Sequence, residues 1–440
     1  MTKDPIDKVR QLQRKLYRSA KLSNTRRFHA LYGRLYDWDI LKESWKRIRQ
    51  NHGAAGIDGQ TLEAIESEGV DVFLRGIQTY LKEGRYHPMP VKRVFIPKSD
   101  GTKRPLGIPT VRDRIVQMAA KIVLEPVFEA DFKDSSFGYR PKRGALQAME
   151  RIRTKANQGY NWVLDADIQN YFGSIDHSKL MEAVERRISD QRMTKLIRKW
   201  LKAGIMDESI RQESLVGTPQ GGVISPLLSN IYLHQLDEVM DKDTSKQAVL
   251  VRYCDDFVVL TKTLPEARES RRRIEKLLSE LKLKLHPVKT KLVNLAFGKE
   301  AFTFLGWLVR KCPSVKFPKK WFLNRWPSSQ SMKKLYAKIR VLVHRGASVK
   351  QAREFAIRLN PILRGWANYF RTGNSYRKFT QVDKYLWQKL MLFENKRRKH
   401  TKPYWSPGRF NHAWFKSLGF FDMTQKGLVR YPGVAYAQAL

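Results

Sequence analysis

The stretch Val251-Arg252-Tyr253-Cys254-Asp255-Asp256-Phe257-Val258-Val259-Leu260 places two adjacent carboxylates between two runs of apolar, strand-forming residues. Successive side chains of a strand point to opposite faces, so one of two adjacent acids inside a strand would point to the buried side. The acids fit better at a turn. We therefore predict a hairpin, with two short strands around a turn at 254–256; a plain solvent-exposed acidic turn is the alternative interpretation.

A second acidic segment precedes the hairpin in the chain. In Leu164-Asp165-Ala166-Asp167-Ile168 the apolar residues share one face of a predicted strand and the two acids share the other. Spacing alone does not choose between Asp165 and Asp167. Asp176 lies beyond this strand, before His177 and Ser178, and is predicted to cap a helix.

Carboxylates mounted on a strand and on a hairpin turn are typical of sites that transfer nucleotides. That reaction requires charge stabilisation on the attacking oxygen, on the phosphorus and on the leaving pyrophosphate. Two Mg²⁺ ions roughly 3.5–4 Å apart supply it, and carboxylates hold them. We therefore expect two Mg²⁺ ions as cofactors.

The composition indicates an anionic partner. The chain has 440 residues with 84 Lys and Arg against 42 Asp and Glu, which gives a net charge of +42. A compact protein this basic repels itself unless a polyanion binds it, and nucleic acid is the leading partner. No run approaches the ~20 apolar residues of a membrane-spanning helix. The first residues, Met1 to Pro5, lack the apolar core of a signal peptide, and no membrane partner is expected.

The two cysteines, Cys254 and Cys312, are too few for a disulfide framework or a four-cysteine zinc site. A reducing cytoplasm is the expected setting. The charge is also uneven along the chain, because residues 311–440 carry 28 Lys and Arg against 4 Asp and Glu. Six of the eleven tryptophans lie in the same segment. Basic side chains interleaved with aromatics favour RNA, which is bound through phosphates and stacked bases; a basic helical domain with an aromatic core is the alternative.

The periodicity of the chain predicts an α+β protein with a helical C-terminal part. Helices are predicted near 6–22, 38–50, 112–130 and 266–283, and a hairpin is formed by strands at 91–97 and 104–108. A strand is predicted at 303–309. Beyond residue 328 the predicted helices cover 331–345, 350–359 and 381–395. Pro361 is predicted to interrupt the helical pattern, and Gly365 is a second candidate for an interruption.

Ordered blocks along nearly the whole chain resemble the reverse transcriptase–maturases of bacterial group II introns, especially the compact group IIC-like ones. The blocks are Asn51 to Gly59, Lys103 to Arg114, Phe137-Gly138-Tyr139-Arg140-Pro141, Asp165 to Asp176, Gly217 to Pro226, the Asp-Asp hairpin, Phe304-Leu305-Gly306 and Leu363 to Phe370.

The resemblance implies a right-hand polymerase fold with fingers and an antiparallel palm sheet, followed by a helical thumb or maturase domain. We expect a basic N-terminal extension at 1–65, fingers and palm at 66–310, the thumb or maturase domain at 311–400 and a basic nucleic-acid-binding segment at 401–440. The cysteine content and the short C-terminal segment lead us to expect no zinc-dependent HNH endonuclease domain, which many relatives carry.

The resemblance also assigns roles to residues. It makes Asp167, rather than Asp165, the third metal ligand beside Asp255 and Asp256, because an aromatic follows five positions later. That aromatic, Phe172, would exclude the 2′-hydroxyl of ribonucleotides, with simple core packing as the alternative. The resemblance also implies that Gln220, Arg104, Lys98 and Lys289 bind the nucleotide. In the basic C-terminal part, Arg364, Lys396, Arg397 and Arg398 are predicted to bind nucleic acid.

Two departures from the family pattern concern the same site. Cys254 stands where the family usually has alanine, and Gln169-Asn170-Tyr171 replaces the commoner Lys-Gly-Phe. Neither change removes a metal ligand.

The expected function is that of an RNA-directed DNA polymerase that also binds its own intron RNA as a splicing maturase and supports retrohoming. Its expected partners are group II intron RNA, an RNA template with a DNA primer, and deoxynucleoside triphosphates. The alternatives are a domesticated reverse transcriptase in phage defence or DNA repair, and an RNA-binding maturase without polymerase activity. The sequence leaves the oligomeric state open.

Overall fold

The computed structural model describes residues 5–97, 101, 103–203, 205–207, 210–212, 221–241, 247–344, 351–397, 412–425 and 427–430. The chain forms two compact units, each built from several segments. The first contains Met1–Gly144, Ala166–Val259 and Pro265–Lys291, and the second contains Ala145–Asp165, Leu260–Leu264 and Leu292–Leu440. The predicted domains were continuous segments, and their boundaries at 65, 310 and 400 stay a prediction.

The Asp-Asp hairpin belongs to a four-stranded sheet with the strand order β6-β7-β3-β8. Its strands are β3 (Trp162–Asp167), β6 (Ala248–Tyr253), β7 (Asp256–Thr261) and β8 (Lys291–Asn294). The predicted strand through Leu164 to Ile168 and the predicted hairpin with its turn at 254–256 are both confirmed. β7 is buried from Phe257 onward, so the acids lie at its exposed beginning.

A second four-stranded sheet has the order β2-β1-β4-β5. It contains β1 (Val91–Pro97), β2 (Lys103–Ile108), β4 (Ile205–Asp207) and β5 (Ile210–Gln212). β1 and β2 pair antiparallel, with Ile96 opposite Arg104, which confirms the predicted hairpin.

Helix α5 (Val111–Glu129) forms the core of the first unit. It is buried on all sides, including at Ile115, Val116 and Ala119, as expected for a helix in the middle of a domain. Its N-cap is Thr110, whose hydroxyl accepts a hydrogen bond from the Asp113 amide. The basic helix α1 (Pro5–Leu22) and α2 (Trp38–Arg49) pack on α5.

Seven further helices of the first unit complete its layers. They are α3 (Leu62–Glu68), α4 (Val70–Lys82), α7 (Tyr171–Ser174), α8 (His177–Glu185), α9 (Gln191–Lys202), α10 (Ser225–Asp241) and α11 (Leu264–Glu280). The predicted cap of α8 is confirmed, because Asp176 Oδ1 accepts a hydrogen bond from the Lys179 amide.

The second unit contains a three-stranded meander and helix α6 (Ala145–Asn157), which packs on its last strand. The strands are β9 (Ala301–Phe304), β10 (Trp307–Pro313) and β11 (Trp321–Pro327). The prediction of one strand at 303–309 is wrong. Leu305 and Gly306 both have positive φ angles and form the tight turn between β9 and β10.

The C-terminal part is helical, as predicted. Its helices are α12 (Ser329–Leu342), α13 (Glu354–Phe370), α14 (Tyr376–Arg397) and α15 (His412–Ser417). The predicted interruption at Pro361 is wrong, because α13 continues through Pro361 and Gly365. Packing outweighs the lost backbone hydrogen bond here: the buried residues Leu359, Leu363 and Ala367 continue one apolar stripe across the proline.

Among the described helices, none has the length and apolarity that a membrane crossing requires.

Gly56 gives a test of the packing around α5. A Cβ at Gly56 would lie 2.6 Å from Thr110 Cα and 2.7 Å from Thr110 N, where rigid backbone cannot yield. Gly56→Ala should therefore lower the free energy of unfolding by about 1–3 kcal/mol. Gly76→Ala is the control: Gly76 lies within α4 with open space around its Cα, so alanine should stabilise by about 0.5–1 kcal/mol. Thermal unfolding measures both, and equal effects would contradict the packing assigned to Gly56.

Candidate active site

Asp167 ends β3 with its side chain partly exposed. Its Oδ2 lies 2.7 Å from Lys289 Nζ, and its backbone oxygen accepts a hydrogen bond of 2.7 Å from the His286 amide. The Gln169 amide donates to Lys284 O in the same way. The segment that carries Lys289 is thus hydrogen-bonded to the end of β3, and the Lys289 ammonium is held against the Asp167 carboxylate. Asp165 belongs to the second compact unit.

Asp255 and Asp256 lie at the turn between β6 and β7. Asp256 is exposed, Asp255 is partly exposed and Cys254 is buried. Cys254 has a φ of 61°, in the left-handed region that residues with a Cβ rarely adopt, at a cost of order 1–3 kcal/mol. Surrounding contacts must therefore impose this backbone shape, which points both carboxylates away from the core.

A fully buried ion pair supplies the first of those contacts. Arg252, on β6, donates from Nε and Nη2 to the two carboxylate oxygens of Asp237 on α10, at 2.8 and 2.5 Å. Its Nη1 donates to Asn230 Oδ1 at 3.1 Å and to Cys254 O at 3.0 Å. Arg252 and Asp237 both have 0% side-chain exposure. One guanidinium therefore ties the turn to α10.

The segment 135–139 supplies the second set of contacts. The Arg252 amide donates to Ser135 O at 2.8 Å and the Phe137 amide donates to Arg252 O at 2.9 Å. A Cβ at Gly138 would lie 2.6 Å from both the nitrogen and the Sγ of Cys254. Only glycine allows the two backbones to approach this closely.

Two ionisable side chains next to the acids, those of Cys254 and Tyr139, stay neutral because desolvation and nearby negative charge raise their pKa values. Burial, followed by the Asp255 charge, raises the pKa of the Cys254 thiol to about 12. Burial also raises the pKa of Tyr139 to about 12, with Cys254 and Asp255 adding to the effect, and the two side chains are hydrogen-bonded to each other. The thiol at the position where alanine is usual therefore adds no negative charge beside the carboxylates at neutral pH.

Phe172 is half-buried in the short helix α7, next to the buried Tyr171. The two rings pack edge to face with centroids 5.2 Å apart. The Tyr171 hydroxyl donates to Ser229 O at 2.9 Å, and burial raises its pKa. Asn170, just before α7, has a left-handed φ of 44°. A fixed tyrosine thus holds the backbone on which Phe172 is presented.

The donor set suits a hard divalent cation, because carboxylate oxygens are the ligands that Mg²⁺ prefers. Asp167, Asp255 and Asp256 all belong to the first compact unit. In the part of the chain that the structure describes, no three His, Cys, Asp or Glu side chains are already gathered as a metal site. Lys289 pairs with Asp167 instead, so an ion would have to share or replace that ammonium.

The other predicted nucleotide-binding residues are only partly described. Lys98 and Gln220 lie outside the described residues, and of Arg104 the structure describes the backbone in β2. Gly221 follows Gln220 and has a φ of 116°. A Cβ at Gly221 would clash with the backbone oxygen of Gly107, so this glycine lets the segment after Gln220 lie directly against β2.

The predicted nucleic-acid-binding residues of the C-terminal part lie on two helices. Arg364 is exposed on α13, with its guanidinium 5.6 Å from the centre of the Phe421 ring. Lys396 and Arg397 end α14, where the structure describes their backbone, and Arg398 lies outside the described residues.

Sequence reasoning missed the residues that hold the turn. Arg252, Asp237 and Asn230 are buried together, but in the sequence each resembles a polar surface residue. One signal was present: an arginine interrupts the apolar run of β6 two positions before Cys254. A charged residue in a buried strand requires a buried partner.

Comparison with known proteins gives two family matches. Residues 96–309 match the reverse transcriptase (RNA-dependent DNA polymerase) family, and residues 332–414 match the group II intron maturase-specific domain. Members of the reverse transcriptase family generally use divalent metal ions.

Three relatives extend these matches. Protein YkfC of Escherichia coli is 36% identical over 344 residues, which cover 69% of this chain and 89% of that protein. The group II intron-encoded protein LtrA of Lactococcus lactis is 39% identical over 214 residues, covering 48% and 35%. An uncharacterized 91 kDa protein in the cob intron of Schizosaccharomyces pombe is 29% identical over 417 residues, covering 78% and 51%.

The chain thus spans most of YkfC but about a third of LtrA and half of the S. pombe protein. The resemblance seen in the sequence blocks is confirmed by both family matches, and the α+β architecture is that of a reverse transcriptase. The chain therefore belongs to the family of group II intron reverse transcriptases with a maturase domain.

Proposed function

We propose that this chain extends a DNA primer with deoxynucleoside triphosphates on an RNA template, using two Mg²⁺ ions held by Asp167, Asp255 and Asp256. The observation that carries the proposal is the turn between β6 and β7, where a buried ion pair forces two carboxylates outward. The order of the sheet supports it, because β3, which ends in Asp167, is the neighbour of β7.

The three aspartates hold the cations, and the ions, when bound, stabilise the charge that develops on the attacking and leaving oxygens. The protein's task is to fix its carboxylates before the substrate arrives. The Arg252–Asp237 pair does this for Asp255 and Asp256, and backbone pairing with 284–286 does it for Asp167. Lys289 places an ammonium at the same carboxylate, which suits its predicted role beside the phosphates of the nucleotide.

Phe172 is proposed to select the sugar. A ring packed beneath C2′ leaves no room for a 2′-hydroxyl, so deoxynucleotides are favoured. The anchoring of Tyr171 by Ser229 supports this role, because a steric filter requires a rigid mount. Gln220, Arg104 and Lys98 are proposed to contact the nucleotide, and the close approach of Gly221 to Gly107 supports a narrow site at that position.

We also propose that the protein binds the RNA of its own group II intron as a maturase and supports retrohoming. The match of residues 332–414 to the maturase-specific domain and the charge of residues 311–440 support this role. The proposed domains are the basic extension at 1–65, fingers and palm at 66–310, thumb or maturase at 311–400 and a nucleic-acid-binding segment at 401–440. Retention of all three aspartates favours an active polymerase over a maturase that only aids splicing.

Asp256→Asn should abolish extension of a DNA primer on an RNA template with Mg²⁺. Removing a charged ligand costs several kcal/mol of transition-state stabilisation, so we expect a loss of at least about 10³-fold. Asp176→Asn is the matched control, because it changes the same group in a residue that caps α8 and pairs with Lys282. It should keep near wild-type activity. If the Asp256→Asn enzyme is active, the proposed assignment of Asp256 as a metal ligand is wrong.

Phe172→Val should admit ribonucleotides. Loss of the ring opens space beneath C2′, and we expect the preference for deoxynucleotides in kcat/KM to fall about 10–200-fold. Phe172→Tyr retains the ring and should retain the preference. Unchanged sugar selectivity in the valine variant, with deoxynucleotide incorporation intact, would mean that Phe172 is a packing residue.

Asp237→Asn should impair both stability and metal use. It leaves the Arg252 charge buried without its carboxylate, so we expect the free energy of unfolding to fall by about 3–5 kcal/mol. Because Arg252 also holds Cys254 O, the Mg²⁺ concentration for half-maximal extension should rise in the folded fraction.

Asp131→Asn is the control for this experiment. It breaks another largely buried pair, with Arg187 at 3.0 Å, in which the arginine has 4% side-chain exposure. It should destabilise without changing the Mg²⁺ requirement. If both variants shift the Mg²⁺ requirement equally, the Arg252 network has a merely structural role.

A further inference from the structure

The loop between β10 and β11 exposes apolar side chains that the rest of the protein does not cover. Val315 is 103% exposed and Phe317 46% exposed, and Phe297, from the neighbouring turn before β9, is 68% exposed. Large apolar side chains grouped on a surface usually mark an interaction site. We call the surface formed by Phe297, Val315, Lys316, Phe317 and Lys320 the basic-aromatic tip.

The tip is a rigid structure. Ser314 N donates to Lys320 O at 2.9 Å, Lys320 N donates to Phe317 O at 3.1 Å and Phe317 N donates to Ser314 Oγ at 3.0 Å. These bonds close the loop and hold the backbone that carries the Phe317 ring. A fixed aromatic loses little entropy on binding a partner.

The turn that carries Phe297 is fastened to the same hairpin. Arg310, on β10, donates from Nε and Nη2 to Gly298 O at 2.9 and 2.8 Å. The Phe297 ring packs edge-on against Trp321 with centroids 6.1 Å apart. The φ of 53° at Phe297 is left-handed, so contacts hold this residue in an unfavourable conformation that leaves its ring in solvent.

The charges nearest to the Phe317 ring are positive. Lys316 and Lys320 place their ammonium groups 5.6 and 5.4 Å from the centre of the Phe317 ring. Within the described residues, neither lysine nor Lys319 forms an ion pair with a carboxylate. Residues 301–353 contain 13 Lys and Arg and no Asp or Glu. The tip therefore offers cations beside exposed aromatic rings, and the acid nearest to it in the sequence, Glu300, accepts a hydrogen bond from the Asn294 amide.

We propose that the basic-aromatic tip binds single-stranded nucleic acid, with unpaired bases stacking on Phe297 and Phe317 and phosphates contacting Lys316 and Lys320. This deepens the proposed function, on which it rests for the class of partner. Rings at a hairpin turn reach the faces of bases that are unpaired, whereas in a duplex those faces are covered by neighbouring base pairs. An acidic protein would satisfy the lysines but would give the exposed rings no matching face.

The test measures binding of the full chain to a fluorescent single-stranded RNA, to the same sequence as DNA, and to a blunt RNA duplex. Phe297→Ala/Phe317→Ala should weaken binding of at least one single strand about 10–100-fold, because stacking on an aromatic contributes appreciably per base. Binding to the duplex should change less than about twofold. The RNA and DNA arms identify which strand the tip prefers.

Lys316→Gln/Lys320→Gln tests the phosphate contacts. Losing two contacts should flatten the slope of log affinity against log salt for a single strand by about 1.4. Lys82→Gln/Lys276→Gln, which removes two exposed charges from α4 and α11 in the other unit, is the charge-matched control and should leave the slope unchanged.

The proposal is overturned if the phenylalanine variant binds both single strands like the wild type, or if it loses duplex binding equally. A tip that binds an acidic protein would give the first of these results. Since the replaced rings are exposed, thermal midpoints should match the wild type. The Asp256→Asn chain should bind single strands normally, so failure of the polymerase proposal and failure of the tip proposal are separable.

Discussion

The catalytic turn depends on one buried ion pair. Removing a guanidinium and a carboxylate from water is expensive, and the Coulomb attraction offsets this cost only when the geometry is good and the remaining donors are satisfied. Arg252 meets both conditions, with two bonds to Asp237 and further bonds to Asn230 and Cys254 O. A lysine could not replace it, because three different acceptors require the planar fork of an arginine.

The same pair explains how the turn tolerates a cysteine. The left-handed conformation at Cys254 is imposed by the hydrogen bond from Arg252 to its carbonyl and by the close approach of Gly138, so the position requires a small side chain. A thiol fits where a methyl group is usual in the family. Because burial and Asp255 raise the pKa of the thiol to about 12, it adds no negative charge beside the carboxylates at neutral pH.

Local patterns in the sequence predicted the elements that depend on local rules. The hairpin around Asp255, the strand ending at Asp167 and the cap at Asp176 follow from alternation and capping alone. The errors arose where distant contacts outweighed local preference: α13 continues through Pro361 because its buried stripe does, and the strand predicted at 303–309 is broken by a turn at Leu305. The Arg252 network was invisible for the same reason, since its members lie on separate elements.

Both units contain an arginine with no exposed side-chain surface, and the two differ in a way that separates their tasks. Arg252 meets a fully buried carboxylate in a two-bond geometry, which fixes the position of the turn. Arg325, on β11, lies 5.3 Å from the centre of the Trp307 ring and 3.3 Å from a partly exposed Glu150. It therefore joins β11 to α6 in a unit that includes the basic residues 311–440. The metal-binding carboxylates require exact positions, because a displaced carboxylate oxygen no longer reaches its metal ion. A polyanion bound by many separate cations tolerates larger shifts of the side chains that bind it.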